Sequence, residues 1–352
     1  MTEMYVRWAA LRPWRLAAIA LLGASAAMLL FIFAWFVVGL GVAAVSARLN
    51  PPGEMVDVGG RHLHIVCDGP KVGAVPTVLF ESGAFGFSAD WAVIQAKLTA
   101  MGVRSCAYDR AGLGFSDPGP APRDGLHVAM DLESLLRAAK EPGPYILVSH
   151  SMAGLHVRLL ADRNREWIVG LVLVDSTTPE AMDDPSTRNY VDGFTTGARA
   201  AAAAASLGLM QALRDTPLAN KIGLTSEAER EKRHMFASGP YNRAAATEVE
   251  QWPTTAWQAR RSGSLNPDWP VVVVMSAGLA PQMRDEQARP AEQSKQGYVD
   301  IVSGATHDNL LGPEHADAIV KAIVFVMDRA MVSSHGGSSA PATSRGKWPP
   351  SG

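Results

Sequence analysis

The chain is poor in the residues that characterise several protein classes. It has two cysteines, Cys67 and Cys106, in 352 residues, which excludes a disulfide-framework domain and a multi-cysteine zinc site. Charged residues make up only 19% and hydrophobic residues 47%, which excludes a disordered chain and a coiled coil. The formal net charge is −2 and no long basic stripe occurs, so we expect no nucleic-acid partner.

One long segment near the N-terminus, residues 16–47, has no charged residue, no proline and no amide side chain. As a helix it would be roughly 48 Å long, against a hydrocarbon core of roughly 30 Å. Trp8 and Trp14 flank its start, where interfacial aromatic rings prefer to lie. The segment therefore predicts a membrane-spanning anchor at 16–47, preceded by a short N-terminal region at 1–15.

Arginines are concentrated before this segment. Arg7, Arg12 and Arg15 precede it, and only Arg48 closely follows it. Because positively charged flanks stay on the cytoplasmic side, we expect a single-pass membrane protein with a cytoplasmic N-terminus and with the chain after Asn50 on the extracytoplasmic side. The alternative is a cleaved signal peptide, since Val-Ser-Ala at 45–47 resembles a processing site. A signal peptide's apolar region is usually about 7–15 residues, which is shorter than this one.

After a linker of Asn-Pro-Pro-Gly at 50–53, short apolar runs alternate with helical patterns. Runs at 55–58 and 61–67, separated by Gly59-Gly60, predict a hairpin. The later runs are 77–80, 103–108, 145–148, 168–174, 271–275 and 298–302. The helical patterns are 91–101, 127–139, 152–163 and 313–331. This alternation predicts an α/β protein with a parallel sheet covered by helices on both faces.

Residues 177–268 interrupt the alternation. They have a helical pattern with an alanine-rich stretch at 198–205, and no convincing strand pattern. We interpret them as a helical cap over a pocket, the alternative being a surface decoration without a role in binding. The core then comprises residues 51–176 and 269–332. The last stretch, 333–352, is rich in serine, glycine and proline and predicts a disordered tail.

The most informative stretch is the apolar run at 145–148, followed by Ser-His-Ser-Met-Ala-Gly at 149–154 and a helical pattern. A nucleophile elbow has this layout: its nucleophile, here Ser151, lies on a strand-to-helix turn that tolerates only small residues two positions away. Those positions are Ser149 and Ala153, in place of the usual glycines. Gly154 then allows the helix to pack closely on the sheet. We predict Ser151 as a nucleophile, the alternative being an ordinary serine-rich turn.

A serine hydroxyl needs a neighbouring base and a third group that orients this base. Of nine histidines, His307 follows the run 298–302, and loops at the carboxyl ends of parallel strands share the edge of the elbow. We predict His307 as the base and His150 as a structural residue. The acid is either Asp175, at the end of the run 168–174, or Asp285, the first carboxylate after the run 271–275. We favour Asp175.

The negative charge that develops on a carbonyl oxygen needs backbone N–H donors, which form an oxyanion hole. One donor follows the nucleophile, at Met152. The other is expected in Glu-Ser-Gly-Ala-Phe-Gly at 81–86, after the run 77–80, where we predict Ala84. An ordinary strand-to-helix turn is the alternative for this loop.

These residues resemble the α/β-hydrolase superfamily, in particular its serine esterases and lipases with a helical cap, over roughly residues 55–331. Tyr-Asp-Arg-Ala-Gly-Leu-Gly-Phe-Ser-Asp at 108–117 also resembles the Asp-x-x-Gly-x-Gly-x-Ser loop of many members, whose role is mainly structural. The resemblance implies an eight-stranded, mostly parallel sheet, a cap after the sixth strand, and a Ser-His-acid triad without metal or cofactor. Asp175 matches the variant whose acid follows the sixth strand. The chain departs from the family at Ser149 and Ala153, and at Glu81-Ser82, where a His-Gly pair is common.

The resemblance also places Cys67 and Cys106 in neighbouring strands, where we expect two buried free thiols rather than a disulfide. We predict a membrane-anchored serine hydrolase acting on a small-molecule or lipid-like ester. The alternatives are a serine-dependent enzyme of the same fold acting on an amide, lactone or carbon–carbon bond or as a perhydrolase, and a non-catalytic binding protein. Related epoxide hydrolases and haloalkane dehalogenases need a carboxylate nucleophile, where this chain has Ser151.

Overall fold

A sheet of eight strands forms the centre of the computed structural model, which describes residues 13–45, 49, 51–71, 75–141 and 143–336. The strands are β1 Glu54–Asp57, β2 His62–Asp68, β3 Thr77–Glu81, β4 Ser105–Tyr108, β5 Tyr145–His150, β6 Ile168–Val174, β7 Val271–Ser276 and β8 Tyr298–Val302. Their order is β1-β2-β4-β3-β5-β6-β7-β8. β2 runs antiparallel to β1 and β4, and the other neighbouring strands are parallel. The predicted mostly parallel sheet is therefore confirmed.

Ten helices accompany this sheet in the described part of the chain. They are α1 Pro13–Val45, α2 Ala92–Ala100, α3 Gly125–Ala138, α4 Ala153–Arg163, α5 Pro185–Ser206, α6 Ser226–Ala237, α7 Gly239–Glu250, α8 Trp252–Arg261, α9 Pro281–Glu292 and α10 Ala316–Gly336. Successive strand residues point to opposite faces. Accordingly, Leu147 belongs to a core with α3 and α4, whereas Ile146 and Val148 belong to a second core with α2 and α10. Both faces of the central strands are thus covered by helices.

The insertion between β6 and β7 is helical. It contains α5 to α8 and short 3-10 helices at Pro179–Asp183, Leu209–Leu213 and Pro217–Asn220. Residues 177–268 are all described, and none of them forms a strand. α8 contacts α3 and α4, while α6 contacts the short 3-10 helix Ser88–Trp91 that follows the 81–86 loop. The insertion, hereafter the cap, therefore lies against the carboxyl edge of the sheet.

The apolar N-terminal segment forms α1. Its portion Trp14–Trp35 has 22 residues and a mean hydropathy of 2.5, so its length and composition suffice to cross a membrane. None of these residues is buried. The predicted N-terminal region up to residue 12, the processing site at 46–47, Arg48 and the linker's Asn50 lie outside the described residues. At the other end α10 continues to Gly336, and the rest of the predicted tail, 337–352, also lies outside them.

The expectation of two free thiols is wrong. Cys67 of β2 lies directly opposite Cys106 of β4, and the two form a disulfide. Their Cα atoms are 4.1 Å apart, because directly opposed residues in an antiparallel pair approach closely. The strands were expected to be neighbours, but the opposed register depends on backbone pairing and is not readable from the spacing of the two cysteines.

Candidate active site

Ser151 lies on a sharp turn between β5 and α4. Its φ is +58°, a left-handed conformation that is uncommon for a residue with a side chain. Two hydrogen bonds hold this backbone: the Ser151 N–H donates to the Val174 carbonyl at 3.1 Å, and the Thr177 N–H donates to the Ser151 carbonyl at 2.8 Å. The turn is therefore fastened to the end of β6, and its left-handed backbone matches that of a nucleophile elbow.

Ser149 and Ala153 fit beside the turn at positions where glycines are usual. The Ser149 hydroxyl is fully buried and shares a hydrogen bond of 2.9 Å with the Ser176 hydroxyl. Ala153 is also fully buried. A side chain at Gly154 would place its Cβ 2.5 Å from the Thr177 carbonyl oxygen, so α4 packs closely on the segment that follows β6, as predicted. The turn therefore accommodates Ser149, whose hydroxyl has a hydrogen-bond partner, and Ala153, whose methyl group is buried.

His307 and Asp175 meet at the same edge of the sheet. His307 Nδ1 lies 3.2 Å from Asp175 Oδ2; the Asp175 side chain is fully buried, and that of His307 is 42% exposed. Asp175 also accepts hydrogen bonds from Ser276 N at 2.8 Å and Ser276 Oγ at 2.7 Å. Burial alone would raise the pKa of Asp175, but the hydrogen bonds from His307 and Ser276 outweigh it, and the pKa is lowered. An ionised Asp175 can therefore orient the His307 ring.

The alternative acid, Asp285, lies elsewhere. It is an exposed residue of α9. Among the described residues, no hydrogen bond or ion pair joins it to His307. The structure thus brings His307 together with Asp175 and not with Asp285, in line with the preference drawn from the sequence. Ser276, which anchors Asp175, was not predicted; its position at the end of the neighbouring strand β7 was the available signal.

His150, predicted as a structural residue, packs against His307. Its ring lies 4.5 Å from the His307 ring, centroid to centroid, and its Nε2 is 3.1 Å from the His307 carbonyl oxygen. Burial, and next the nearby His307, lower the pKa of His150 to about 3. A neutral His150 can therefore donate Nε2–H to the His307 carbonyl and hold the loop that carries His307. Within the described residues, no hydrogen bond joins the Ser151 hydroxyl to His307.

The 81–86 loop passes over Ser151. An added Cβ at Gly83 would lie 2.9 Å from Ser151 Cβ and 3.0 Å from the His150 carbonyl oxygen. The next residue is Ala84, one predicted oxyanion donor; Met152, the other, begins the turn into α4. Among the described residues, neither the Ala84 nor the Met152 backbone N–H donates a hydrogen bond to a protein group. Within the described residues, the protein therefore does not occupy these two N–H groups.

A model of the alpha/beta hydrolase family matches residues 78–322, well over half of the chain and including the serine turn and His307. The chain belongs to the alpha/beta hydrolase family. An uncharacterized vacuolar membrane protein of Saccharomyces cerevisiae is 33% identical over 123 residues, which are 33% of this chain and 18% of the yeast protein. The chain spans less than half the length of the curated relatives it matches.

Solved structures of other alpha/beta hydrolases share the fold. The haloalkane dehalogenase DbeA from Bradyrhizobium elkani superposes with a TM-score of 0.63 at 18% identity, covering 80% of this chain and 98% of that protein. The enol-lactonase from Burkholderia xenovorans gives a TM-score of 0.56 at 21% identity, covering 78% of this chain and 100% of that protein. At these identities the likeness shows the fold and leaves the chemistry to the site itself.

The Asp-x-x-Gly-x-Gly-x-Ser loop of this alpha/beta hydrolase has structural contacts. Asp109 accepts hydrogen bonds from the Ser88 and Phe115 N–H groups, each at 2.8 Å, and lies 2.8 Å from His64 Nδ1. It is fully buried. Asp109 therefore ties this loop to its surroundings, as the resemblance implied.

One cluster of possible metal ligands in this alpha/beta hydrolase is Cys67, Cys106 and Glu141. The two sulfur atoms are bonded to each other, and Glu141 pairs with Arg104 at 2.7 Å. Because metal binding by cysteine requires a free thiolate, this cluster does not fit a metal in its disulfide form.

Proposed function

We propose that this alpha/beta hydrolase is a serine hydrolase that cleaves carboxylic esters through an acyl-enzyme. The observation that carries the proposal is the left-handed Ser151 turn at the same sheet edge as the pair formed by His307 and the buried Asp175. A serine on such a turn, with a base oriented by a carboxylate, has the elements of a nucleophile that a neighbouring base activates.

In the proposed reaction, Ser151 Oγ attacks the ester carbonyl while His307 Nε2 accepts the hydroxyl proton. His307 then returns this proton to the departing alcohol, and the acyl group stays on Ser151. Water next attacks the acyl-enzyme with His307 as the base, which releases the acid and restores the serine. The backbone N–H groups of Met152 and Ala84 stabilise the negative oxygen at both stages.

An ester is the favoured substrate class because ester cleavage is the commonest chemistry of such serine sites. A dehalogenase-type displacement requires a carboxylate as the nucleophile, and residue 151 is a serine. Amide, lactone or carbon–carbon cleavage, perhydrolysis and non-catalytic ligand binding are the outcomes that the experiment below separates from it.

We also propose that α1 anchors the enzyme in a membrane, with the catalytic domain on the extracytoplasmic side. The apolar length of α1, the preceding arginines and the Cys67–Cys106 disulfide support this, since disulfides persist in oxidising compartments. Limited proteolysis of spheroplasts should digest the catalytic domain from outside. Its protection until the membrane is opened would contradict this orientation.

The activity is tested with a fluorophosphonate probe and a series of p-nitrophenyl esters, using the full chain in detergent. Wild-type protein should be labelled and should hydrolyse the esters, whereas Ser151→Ala should lose both. Ser134→Ala, which removes an exposed hydroxyl on α3, is the matched control and should behave as wild type. Labelling without ester turnover would indicate another scissile bond. Absence of labelling in folded protein would contradict the serine-nucleophile assignment.

A further inference from the structure

Arg110 is buried beneath the 81–86 loop, which carries the proposed donor Ala84. Its side chain is 2% exposed and donates to the carbonyl oxygens of Ser82 and Gly83, the latter at 2.8 Å. It also donates to Glu81 Oε1 at 2.9 Å. One guanidinium therefore holds two successive carbonyls of this loop and the carboxylate at the end of β3.

The Gly83 carbonyl determines the direction of the Ala84 N–H. Both groups belong to the same planar trans peptide, in which the C=O and the N–H point in opposite directions. Arg110 donates to this carbonyl at 2.8 Å and the Gly86 N–H donates to it at 3.0 Å, so the Ala84 N–H is directed to the opposite side. The position of Arg110 therefore bears directly on the orientation of an oxyanion donor.

A cap residue in turn holds Arg110. Glu248 of α7 accepts from Arg110 Nε at 2.9 Å through each of its oxygens, and its Oε2 lies 2.7 Å from Arg110 Nη2. The Glu248 side chain is 3% exposed. Burial alone would lower the pKa of Arg110, but the charges of Glu248 and Glu81 outweigh it and raise that pKa, so the guanidinium stays charged. A buried cation with two fixed anions has little freedom to reorient.

Two more cap side chains reach the same loop. The Phe85 carbonyl accepts hydrogen bonds from Tyr241 Oη at 2.6 Å and from Lys232 Nζ at 3.2 Å. Phe85 has φ +55°, an unfavourable conformation that persists only where its surroundings hold it. Lys232 is itself held by Asp90 at 2.7 Å. Cap residues thus contact the loop directly, in addition to the contact through Arg110.

We propose that Arg110 and Glu248 are positioning residues of the oxyanion hole, through which the cap sets the direction of the Ala84 N–H. The proposal rests on the proposed function, because the hole has a catalytic role only if Ser151 is a nucleophile. It gives the cap a part in catalysis. Arg110 and Glu248 would act through the loop and would not touch the substrate.

The test compares Glu248→Gln with Glu250→Gln in the full chain. Both glutamates belong to α7, but Glu250 pairs with Arg199, whose side chain is 65% exposed. Glu248→Gln should lower kcat for the best p-nitrophenyl ester by about 10- to 100-fold, because the donor is misdirected but still present, whereas removing a donor costs about 10²–10³-fold. KM should change by less than about threefold, because the donor acts mainly in the transition state. Glu250→Gln should match wild type in both.

Hydrogen–deuterium exchange of the peptide that contains residues 82–86 gives a readout that needs no catalysis. Exchange should be faster in Glu248→Gln than in wild type and unchanged in Glu250→Gln. Tyr241→Phe removes one donor to the Phe85 carbonyl and should also accelerate exchange. It is the variant to use for this measurement if Glu248→Gln fails to fold. Unaltered exchange and kcat in the folded variants would overturn the proposal. Glu248→Gln could exchange faster than wild type while fluorophosphonate labels neither protein. That result would support the loop contacts and contradict the proposed function.

Discussion

Replacing Asp175 by asparagine tests whether the carboxylate orients the catalytic base. Asp175 Oδ1 accepts the Ser276 N–H at 2.8 Å, so the asparagine oxygen is expected to take that place. Its NH2 group then occupies the place of Oδ2, which now lies 3.2 Å from His307 Nδ1. An NH2 donor at this place favours the His307 tautomer with an unprotonated Nδ1 and a protonated Nε2. That tautomer has no acceptor for the Ser151 proton.

The expected loss is large. In serine triads the wrong tautomer lowers kcat by about 10⁴-fold. This corresponds to roughly 5 kcal/mol of transition-state stabilisation. KM should change little, because Asp175 is buried behind His307 and away from the substrate. The same reasoning predicts slower labelling of Ser151 by the fluorophosphonate, since that reaction also needs the base.

The assay is steady-state hydrolysis of a p-nitrophenyl ester by Asp175→Asn, with Asp285→Asn as the matched control. A thermal melt confirms that each variant is folded. The reasoning would be refuted if folded Asp175→Asn kept kcat within about tenfold of wild type, well short of the predicted loss. A loss confined to Asp285→Asn would reassign the acid to α9.

Two further predictions follow from packing and charge. Gly83→Ala should abolish labelling of Ser151, because its Cβ would lie 2.9 Å from Ser151 Cβ; Gly278→Ala, where no atom lies within 4 Å, should label normally. Glu231 of α6 is 3% exposed, and burial, with the nearby charge of Asp109, raises its pKa to about 7. The protonated form is thus favoured in the folded state, so stability should fall as the pH rises from about 4.5 to 7. Glu231→Gln should therefore raise the melting temperature at pH 8 by about 2 °C or more and have little effect at pH 4; equal shifts at both pH values would contradict this assignment.

Much of the core was predictable because its strands are buried on both faces. Continuous apolar runs such as 271–275 identify such strands without knowledge of their partners. The residues around Ser151 were equally readable, since a tight turn restricts the size of its neighbours. Asp175 was favoured over Asp285 from its place at the end of β6, and the contact with His307 agrees with that choice.

Interactions between distant parts of the chain were not predictable. Arg110 and Glu248 are 138 positions apart, and neither the family motif nor the helical pattern of the cap indicates that they meet. Glu81 looked like a departure from the family, and only the structure shows that it is a buried partner of Arg110. The disulfide was missed for a similar reason, because register between strands is a property of the assembled sheet.

The cap leaves the sheet after β6 and returns at the adjacent strand β7. Such closely spaced exit points make this segment a natural module to exchange with a relative when a new substrate range is wanted. A transplanted module without a carboxylate equivalent to Glu248 would leave the guanidinium of Arg110 short of one counter-ion in the protein interior. Successful chimeras of this scaffold should therefore carry that acidic residue over together with the foreign helices.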